Sequence, residues 1–130
     1  METLRLHHLA IQVHDLARAE AFYSDLLGLP VLKRWITGDG SPRATWLGLG
    51  GDGFLALERC ESPGENDGWS DPLPGFYVLA LEIPAGEREV WEAKLARAGH
   101  PKVRETAFTF YVRDPDGNRV GLSHHPWERP

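Results

Sequence analysis

The side chains in this sequence that are best suited to chemistry are one histidine and two glutamates in apolar, strand-like stretches. His8 opens "HLAIQV", Glu58 follows "FLAL" and Glu82 ends "LALE". Imidazole and carboxylate groups serve as general acids and bases when they lie close together, and the same groups bind divalent metal ions. Two chemistries are therefore open: acid–base catalysis by His8 with Glu58 or Glu82, and a metal site built from all three.

A similar series of elements surrounds these residues in each half of the chain. Asp15 is a suitable N-cap for a helix that ends before Gly28 and Pro30. The residue pattern predicts, for the first half, a strand at 5–13, a helix at 16–27 and strands at 31–37, 43–49 and 53–60. The second half repeats this order with a strand at 76–83, a helix at 86–98 and strands at 102–106, 107–113 and 118–124.

The repeated order predicts an α+β fold made of two βαβββ modules within a single domain that spans residues 1–130. The first module covers 4–60 and the second covers 76–124. The segment between them, 61–75, is rich in proline, glycine and acidic residues, which is typical of a linker loop.

Composition and charge exclude several classes of function. The chain has 130 residues and a net charge of −5, whereas a nucleic-acid-binding domain normally has a basic surface. Cys60 is the only cysteine, so no intramolecular disulfide can form. No apolar run is long enough to span a membrane and no targeting signal opens the chain, so we expect a cytoplasmic protein that binds neither membrane nor nucleic acid. The acidic balance would suit a cationic small ligand.

Three segments carry a family resemblance that extends over residues 4–124. They are "LHHLAIQVHDLARAEAFYSDLLGLPV", "FYVLALEI" and "FYVRDPDGNRVGL". Together they resemble the vicinal oxygen chelate superfamily, which includes glyoxalase I, extradiol dioxygenases, and the fosfomycin-resistance and bleomycin-resistance proteins. The resemblance implies eight strands in two half-sheets that curve into a cup, with helices on the outer face, a small-molecule site inside and a homodimer.

The resemblance also implies a divalent metal held from four strands, and this sequence keeps a donor on one of them. The family positions fall on His8, Ala56, Val78 and Gly121. Of these four residues only His8 has a side chain that can bind a metal. The turn "DPDGN" normally leads to a glutamate where Gly121 stands, so the family carboxylate is lost.

Strand alternation places polar side chains two residues beyond the family positions. These side chains are Gln12, Glu58, Glu82 and Ser123. A metal site relocated onto Glu58 and Glu82 stays open, but a two-residue step along a strand is about 7 Å, so His8 would join it with difficulty. The same alternation directs His7 towards the helix.

Aromatic residues are the other group predicted to line a ligand cavity. Phe54 and Tyr111 match family positions in the cavity wall, and Trp35, Trp46 and Trp69 are further candidates that alternation alone does not place. The predicted ligand-binding residues are His8, Gln12, Phe54, Ala56, Val78, Tyr111, Gly121 and Ser123.

The loss of three donors leads us to expect a protein that binds a small aromatic or cationic molecule in its cup, with no catalytic metal and no cofactor. Apolar walls with a few polar groups suffice for such a pocket. The alternative is a divalent-metal-dependent or His8-based lyase, isomerase or thiol transferase of the glyoxalase or fosfomycin-resistance type. A third hypothesis, a degenerate domain that only binds partners, is not favoured by any long exposed apolar stretch.

Overall fold

The computed structural model describes residues 2–61 and 74–128. The chain forms two compact units, Met1–Asn66 and Asp67–Pro130, and each unit contains one βαβββ module. Trp69, a predicted candidate for ligand contact, lies outside the described residues. No helix among the described residues is long and apolar enough to cross a membrane.

The first module is a four-stranded mixed sheet with a helical segment after its first strand. Its elements are β1 (His8–Val13), α1 (Leu16–Glu20), a π-helical turn (Ala21–Leu26), β2 (Val31–Ile36), β3 (Pro42–Gly48) and β4 (Phe54–Arg59). The strand order is β1-β4-β3-β2, with β1 and β4 parallel and the other pairs antiparallel. A parallel pair requires a long crossover, which α1, β2 and β3 supply together.

The second module repeats this arrangement. Its elements are β5 (Leu79–Glu82), a 3-10 turn (Ala85–Glu87), α2 (Arg88–Arg97), β6 (Arg104–Glu105), β7 (Thr109–Arg113) and β8 (Arg119–Ser123). The order is β5-β8-β7-β6, again with one parallel pair, β5 and β8, at the edge. The predicted α+β class with two βαβββ modules is therefore confirmed.

The first helical segment begins after Asp15 and ends before Gly28, as the sequence predicts. The Asp15 carboxylate accepts a hydrogen bond from the backbone N–H of Arg18 at 3.2 Å. Gly28 follows the segment with a φ of 83°, a conformation that glycine adopts without strain. The predicted helix at 16–27 is present, and the one difference is that its second half is wound as a π-helical turn.

Two strands begin three residues later than predicted, because a strand can begin only where its partner offers hydrogen bonds. β1 begins at His8 rather than at residue 5, opposite the first residue of β4, Phe54. β5 begins at Leu79 rather than at residue 76, opposite Val120 near the start of β8. Side-chain alternation is therefore reliable only from these residues onward.

The helical segment of each module covers one face of its sheet. In the first module Leu55 and Leu57 of β4 are fully buried, and α1 packs against β3 and β4. In the second module Phe110 and Leu122 are buried on the corresponding face, and Leu95 of α2 is also fully buried. Complete burial of such a side chain contributes about 1.5–3 kcal/mol. The buried apolar face stabilises each module by itself, and the opposite face of each sheet remains available for a site.

A polar contact fixes the first helical segment to its sheet. The Glu20 carboxylate accepts hydrogen bonds from the buried Thr45 hydroxyl at 2.8 Å and from the Arg34 guanidinium at 2.7 Å. The hydrogen bond from Arg34 lowers the pKa of Glu20, and burial opposes this effect in part. Glu20 is therefore ionised at neutral pH.

Arg88 makes the corresponding connection in the second module. Its guanidinium donates to the backbone carbonyls of Thr106 and Ala107, each at 3.2 Å. It also forms ion pairs with Glu92 at 4.0 Å and Glu105 at 3.6 Å. The start of α2 is thus anchored to the turn that joins β6 and β7.

Candidate functional site

The face of the first sheet opposite α1 carries four of the predicted ligand-binding residues. Parallel pairing of β1 with β4 sets His8 beside Phe54 and Gln12 beside Glu58, with Ala56 between the two pairs. Residues in register on neighbouring strands point to the same side of a sheet. His8, Gln12, Phe54 and Ala56 therefore share one surface.

One aromatic ring from each strand forms a row across this surface. His8 stacks on Phe54 with ring centroids 5.0 Å apart and planes 12° apart, and Phe54 stacks on Trp46 at 4.4 Å and 28°. Trp46 contacts Trp35 at 5.1 Å with a tilt of 59°. Strands lie about 4.8 Å apart, which is close to the distance at which rings stack. These four residues are called the aromatic row below.

The β1 end of the aromatic row contains a pair of imidazoles. The Nδ1 atoms of His7 and His8 are 2.8 Å apart, so one of them carries the shared hydrogen. The prediction that His7 faces the helix is wrong: His7 is exposed and its ring lies 5.6 Å from that of Phe54. His7 precedes β1, so strand alternation does not direct its side chain. Because Nδ1 of His8 is engaged, Nε2 is the nitrogen that a ligand would meet.

The β2 end of the aromatic row is positively charged. The Lys33 ammonium lies 3.9 Å from the centroid of the Trp35 ring, and the Arg43 guanidinium carbon lies 5.8 Å from it. Both cations are exposed. Arg43 also forms an ion pair with Glu58 at 3.7 Å.

The corresponding face of the second sheet contains Gly121, which is buried. Gly121 is paired with Ala80 on β5 and with Tyr111 on β7. A Cβ atom at this position would lie 3.2 Å from Thr109 Cγ2, 3.3 Å from Val78 Cγ2 and 3.4 Å from Tyr111 Cδ1. Val78, Tyr111 and Gly121 thus come together as the sequence predicts, and the space of the family carboxylate is filled by neighbouring side chains.

The donors of the family metal site do not fit a divalent ion in this chain. Ala56, Val78 and Gly121 have no donor atoms, and three protein ligands are the usual minimum for such a site. Within residues 2–61 and 74–128, no three His, Cys, Asp or Glu side chains lie close enough together to hold a metal ion. No chemical step is therefore assigned to a metal.

The structure does not bring His8 and Glu58 together. Glu58 is level with Gln12, four residues along from His8, which corresponds to about 13 Å. The expected acid–base pair of these two residues is therefore wrong. Glu58 instead lines a polar groove of about 450 Å³ with Gln12 and Cys60, whose thiol donates to Gln12 Oε1 at 3.7 Å.

Glu82 and Ser123 lie at the matching place in the second module. They line a groove of about 310 Å³ together with His125 and the exposed Trp127. The Ser123 hydroxyl is hydrogen-bonded to the Thr109 hydroxyl at 2.7 Å. In each module the predicted polar residues thus gather where the parallel strands end.

The sequence did not identify Lys33 and Arg43 as site residues, and it did not place Trp35 and Trp46 on a face of the sheet. Trp46 and Gly48 lie two residues apart on β3, and Gly48 pairs with Phe54. Alternation therefore predicts that Trp46 lies on the same side of the sheet as Phe54. Trp35 gives no such signal, because a bulge lies between Trp35 and Ile36 on β2. Lys33 could be recognised only after Trp35 was placed.

Comparisons with known proteins agree with this architecture. A curated relative, the glutathione transferase FosA of Serratia marcescens, is 29% identical over 121 residues, which cover 90% of this chain and 78% of that protein. A glyoxalase/dioxygenase from Nostoc punctiforme has a similar fold, with a TM-score of 0.76 and 20% identity over 95% of this chain and 92% of that one. The fosfomycin resistance protein FosX of Mesorhizobium loti gives a TM-score of 0.70 and 15% identity, and covers 97% and 94%.

The family model described as "Glyoxalase/Bleomycin resistance protein/Dioxygenase superfamily" matches residues 5–122. This range contains both modules except Ser123, the last residue of β8, and includes the aromatic row and Gly121. The chain therefore belongs to the glyoxalase/bleomycin resistance protein/dioxygenase superfamily.

Proposed function

We propose that this protein binds a small organic molecule with a flat aromatic part, held by stacking against the aromatic row and not by a metal ion. The observation that carries the proposal is the row itself, which joins rings from all four strands of the first sheet. Phe54 is buried and already stacks on His8 and Trp46, so a further ring would pack against the more exposed members of the row and gain about 0.5–1.5 kcal/mol beyond the area that it buries.

Polar groups at the two ends of the row would orient the ligand. Nε2 of His8 is available at the β1 end, and the Lys33 ammonium lies at the β2 end. Small-molecule sites generally combine apolar and aromatic walls with a few polar groups of this kind. The row therefore has the composition of a binding site for an organic molecule.

The test is a screen of planar aromatic compounds against chelator-treated protein, read by thermal shift and by quenching of tryptophan fluorescence. We expect a saturable ligand that adds about 2.7 kcal/mol of apparent stability at 100 times its Kd. Trp91 on α2 of the second module supplies the control, since Trp91→Phe should leave the titration unchanged. Near-stoichiometric metal in the purified protein, whose removal abolishes binding, would contradict the proposal.

A second candidate function is a thiol transferase in which His8 is the general base. The 29% identity with a glutathione transferase favours it, together with the exposed imidazole of His8. Turnover of glutathione with an electrophile, lost in His8→Ala at an unchanged melting temperature, would establish this function. Binding of an aromatic compound without any turnover would favour the first proposal.

We also propose that the protein is a homodimer, as its family resemblance implies. Light scattering should then give a molar mass of two chains, and a mass of one chain at micromolar concentration would contradict this.

A further inference from the structure

We propose that the ligand of the aromatic row is an aromatic anion, such as an aryl carboxylate, whose charged group lies beside Lys33. This inference rests on the proposed function, because it names the chemical class of the molecule that the row would bind. Two features at the β2 end of the row are relevant to it: the exposed ammonium group of Lys33 and a buried indole N–H without an acceptor.

Lys33 is the cation closest to the rings. Its ammonium lies 3.9 Å from the Trp35 centroid, the side chain is exposed, and it makes no ion pair with a carboxylate of the described residues. A ligand ring stacked at this end would bring its substituents close to that ammonium. A carboxylate there would form a charge-assisted hydrogen bond, whereas an amine would be repelled.

The remaining charges at this end do not cancel Lys33. Arg43 and Glu58 form an ion pair at 3.7 Å and compensate each other. Glu20 bonds to Arg34 and Thr45 next to α1, so its charge is also matched. The local balance beside Trp35 is therefore positive.

The indole nitrogen of Trp35 is a hydrogen-bond donor that lacks an acceptor. Its Nε1 atom is buried and has no partner among the described residues. A buried donor without an acceptor is unfavourable, and tryptophan can only donate at this atom. Because this atom is buried, a ligand oxygen could accept from it only after side chains at this end of the row move, whereas the Lys33 ammonium is accessible as it stands.

The net charge of the chain would favour a cationic ligand, but net charge acts over longer distances than a neighbouring side chain does. The chain carries −5 overall, which by itself would favour a cationic ligand. At physiological salt, charges are screened over about 8 Å. Lys33 lies well within that distance of the Trp35 ring, and Arg43 is compensated by Glu58, so Lys33 decides the sign of the charge that a ligand meets there.

The experiment compares three probes that share one ring system and differ in charge: 1-naphthoate, 1-naphthamide and 1-naphthylmethylamine. Each is titrated into the full-length protein at 150 mM salt, with calorimetry and tryptophan quenching as readouts. We expect naphthoate to bind about two- to fivefold more tightly than the amide, the size expected for one exposed ion pair, and the amine to bind most weakly.

Two lysine variants make the test specific. Lys33→Met should remove the preference for naphthoate over the amide. Lys94→Met is the matched control, because Lys94 lies 4.7 Å over the ring of Trp91 on α2 of the second module. Both lysines are exposed, so neither variant should change the melting temperature by more than about 1 °C.

The outcomes separate this inference from the function on which it rests. If the three probes bind equally, or the amine binds best, the row is a stacking site but the inference is wrong. A preference for naphthoate that survives Lys33→Met also overturns it. If none of the probes binds at millimolar concentration, both the inference and the proposed stacking function fail.

Discussion

The two modules share one topology, but the sheet faces opposite their helices differ in chemistry. At positions that strand register makes equivalent, the first module has Phe54 and Trp46, and the second has Arg119 and Tyr111. Arg119 is buried and its guanidinium lies 4.0 Å from the centroid of the Tyr77 ring. One face is thus a row of stacked rings, and the other is a cluster of arginine and tyrosine.

The comparison shows which face of a module determines the fold. On the helix side both sheets bury large apolar residues, such as Leu57 in the first module and Val112 in the second, each fully inaccessible to solvent. Burial of that face fixes strand register, because a one-residue slip would expose every one of these side chains. The opposite face is under no such constraint, so it can hold a row of stacked rings in one module and a buried arginine with tyrosines in the other.

The largest expected effect comes from breaking the row at its centre. Trp46 contacts both Phe54 and Trp35, so Trp46→Leu removes two ring contacts and should weaken binding of an aromatic ligand about 10- to 100-fold. Tyr111→Leu, at the equivalent position of the second module, should change the affinity less than about twofold. Calorimetric titration of both variants measures the contrast. Equal losses would show that the second sheet contributes as much to binding as the first.

A smaller effect, on the stability of the second module, is expected at Gly121, where an added Cβ atom would be tightly packed. Gly121→Ala should lower the free energy of unfolding by about 1–3 kcal/mol, because the new Cβ would lie 3.2 Å from Thr109 Cγ2. Thr109→Ser removes that methyl group and keeps the hydroxyl that bonds to Ser123. Urea denaturation of the single and double variants should show that Thr109→Ser relieves the strain. Strictly additive losses would mean that crowding is not the reason for glycine.

The smallest expected effect concerns the polar contact that fixes the first helical segment. The pKa of Glu20 is lowered in the folded chain from its ordinary value of 4.5, so its stabilising effect is present above that pH and is lost as the pH falls through the folded pKa. Glu20→Gln should therefore cost about 1 kcal/mol at pH 7 and less at pH 3, which lies below the ordinary pKa of 4.5. Glu89→Gln, on the exposed face of α2, is the control and should change stability little at either pH. A loss for Glu20→Gln that is the same at both pH values would contradict this account.

The order of elements and the grouping of Val78 with Gly121 could be predicted because both depend on local patterns. Asp15 and Gly28 bound the first helical segment, and alternation correctly grouped Val78 with Gly121. Prediction failed for His7, which precedes the strand, and for the pairing of His8 with Glu58, which the register of two distant strands decides. Such failures occur where a side chain's neighbours come from elsewhere in the chain.

The sequence by itself determined the repeated α+β modules and the absence of metal-binding side chains at Ala56, Val78 and Gly121, since side-chain chemistry and the two-residue period of a strand are properties of the chain. Only the tertiary structure decided that His8, Phe54, Trp46 and Trp35 form one row with Lys33 at its end. The physical reason is strand pairing: four segments that are separated in sequence contribute one ring each, and their register sets the distances at which the rings stack.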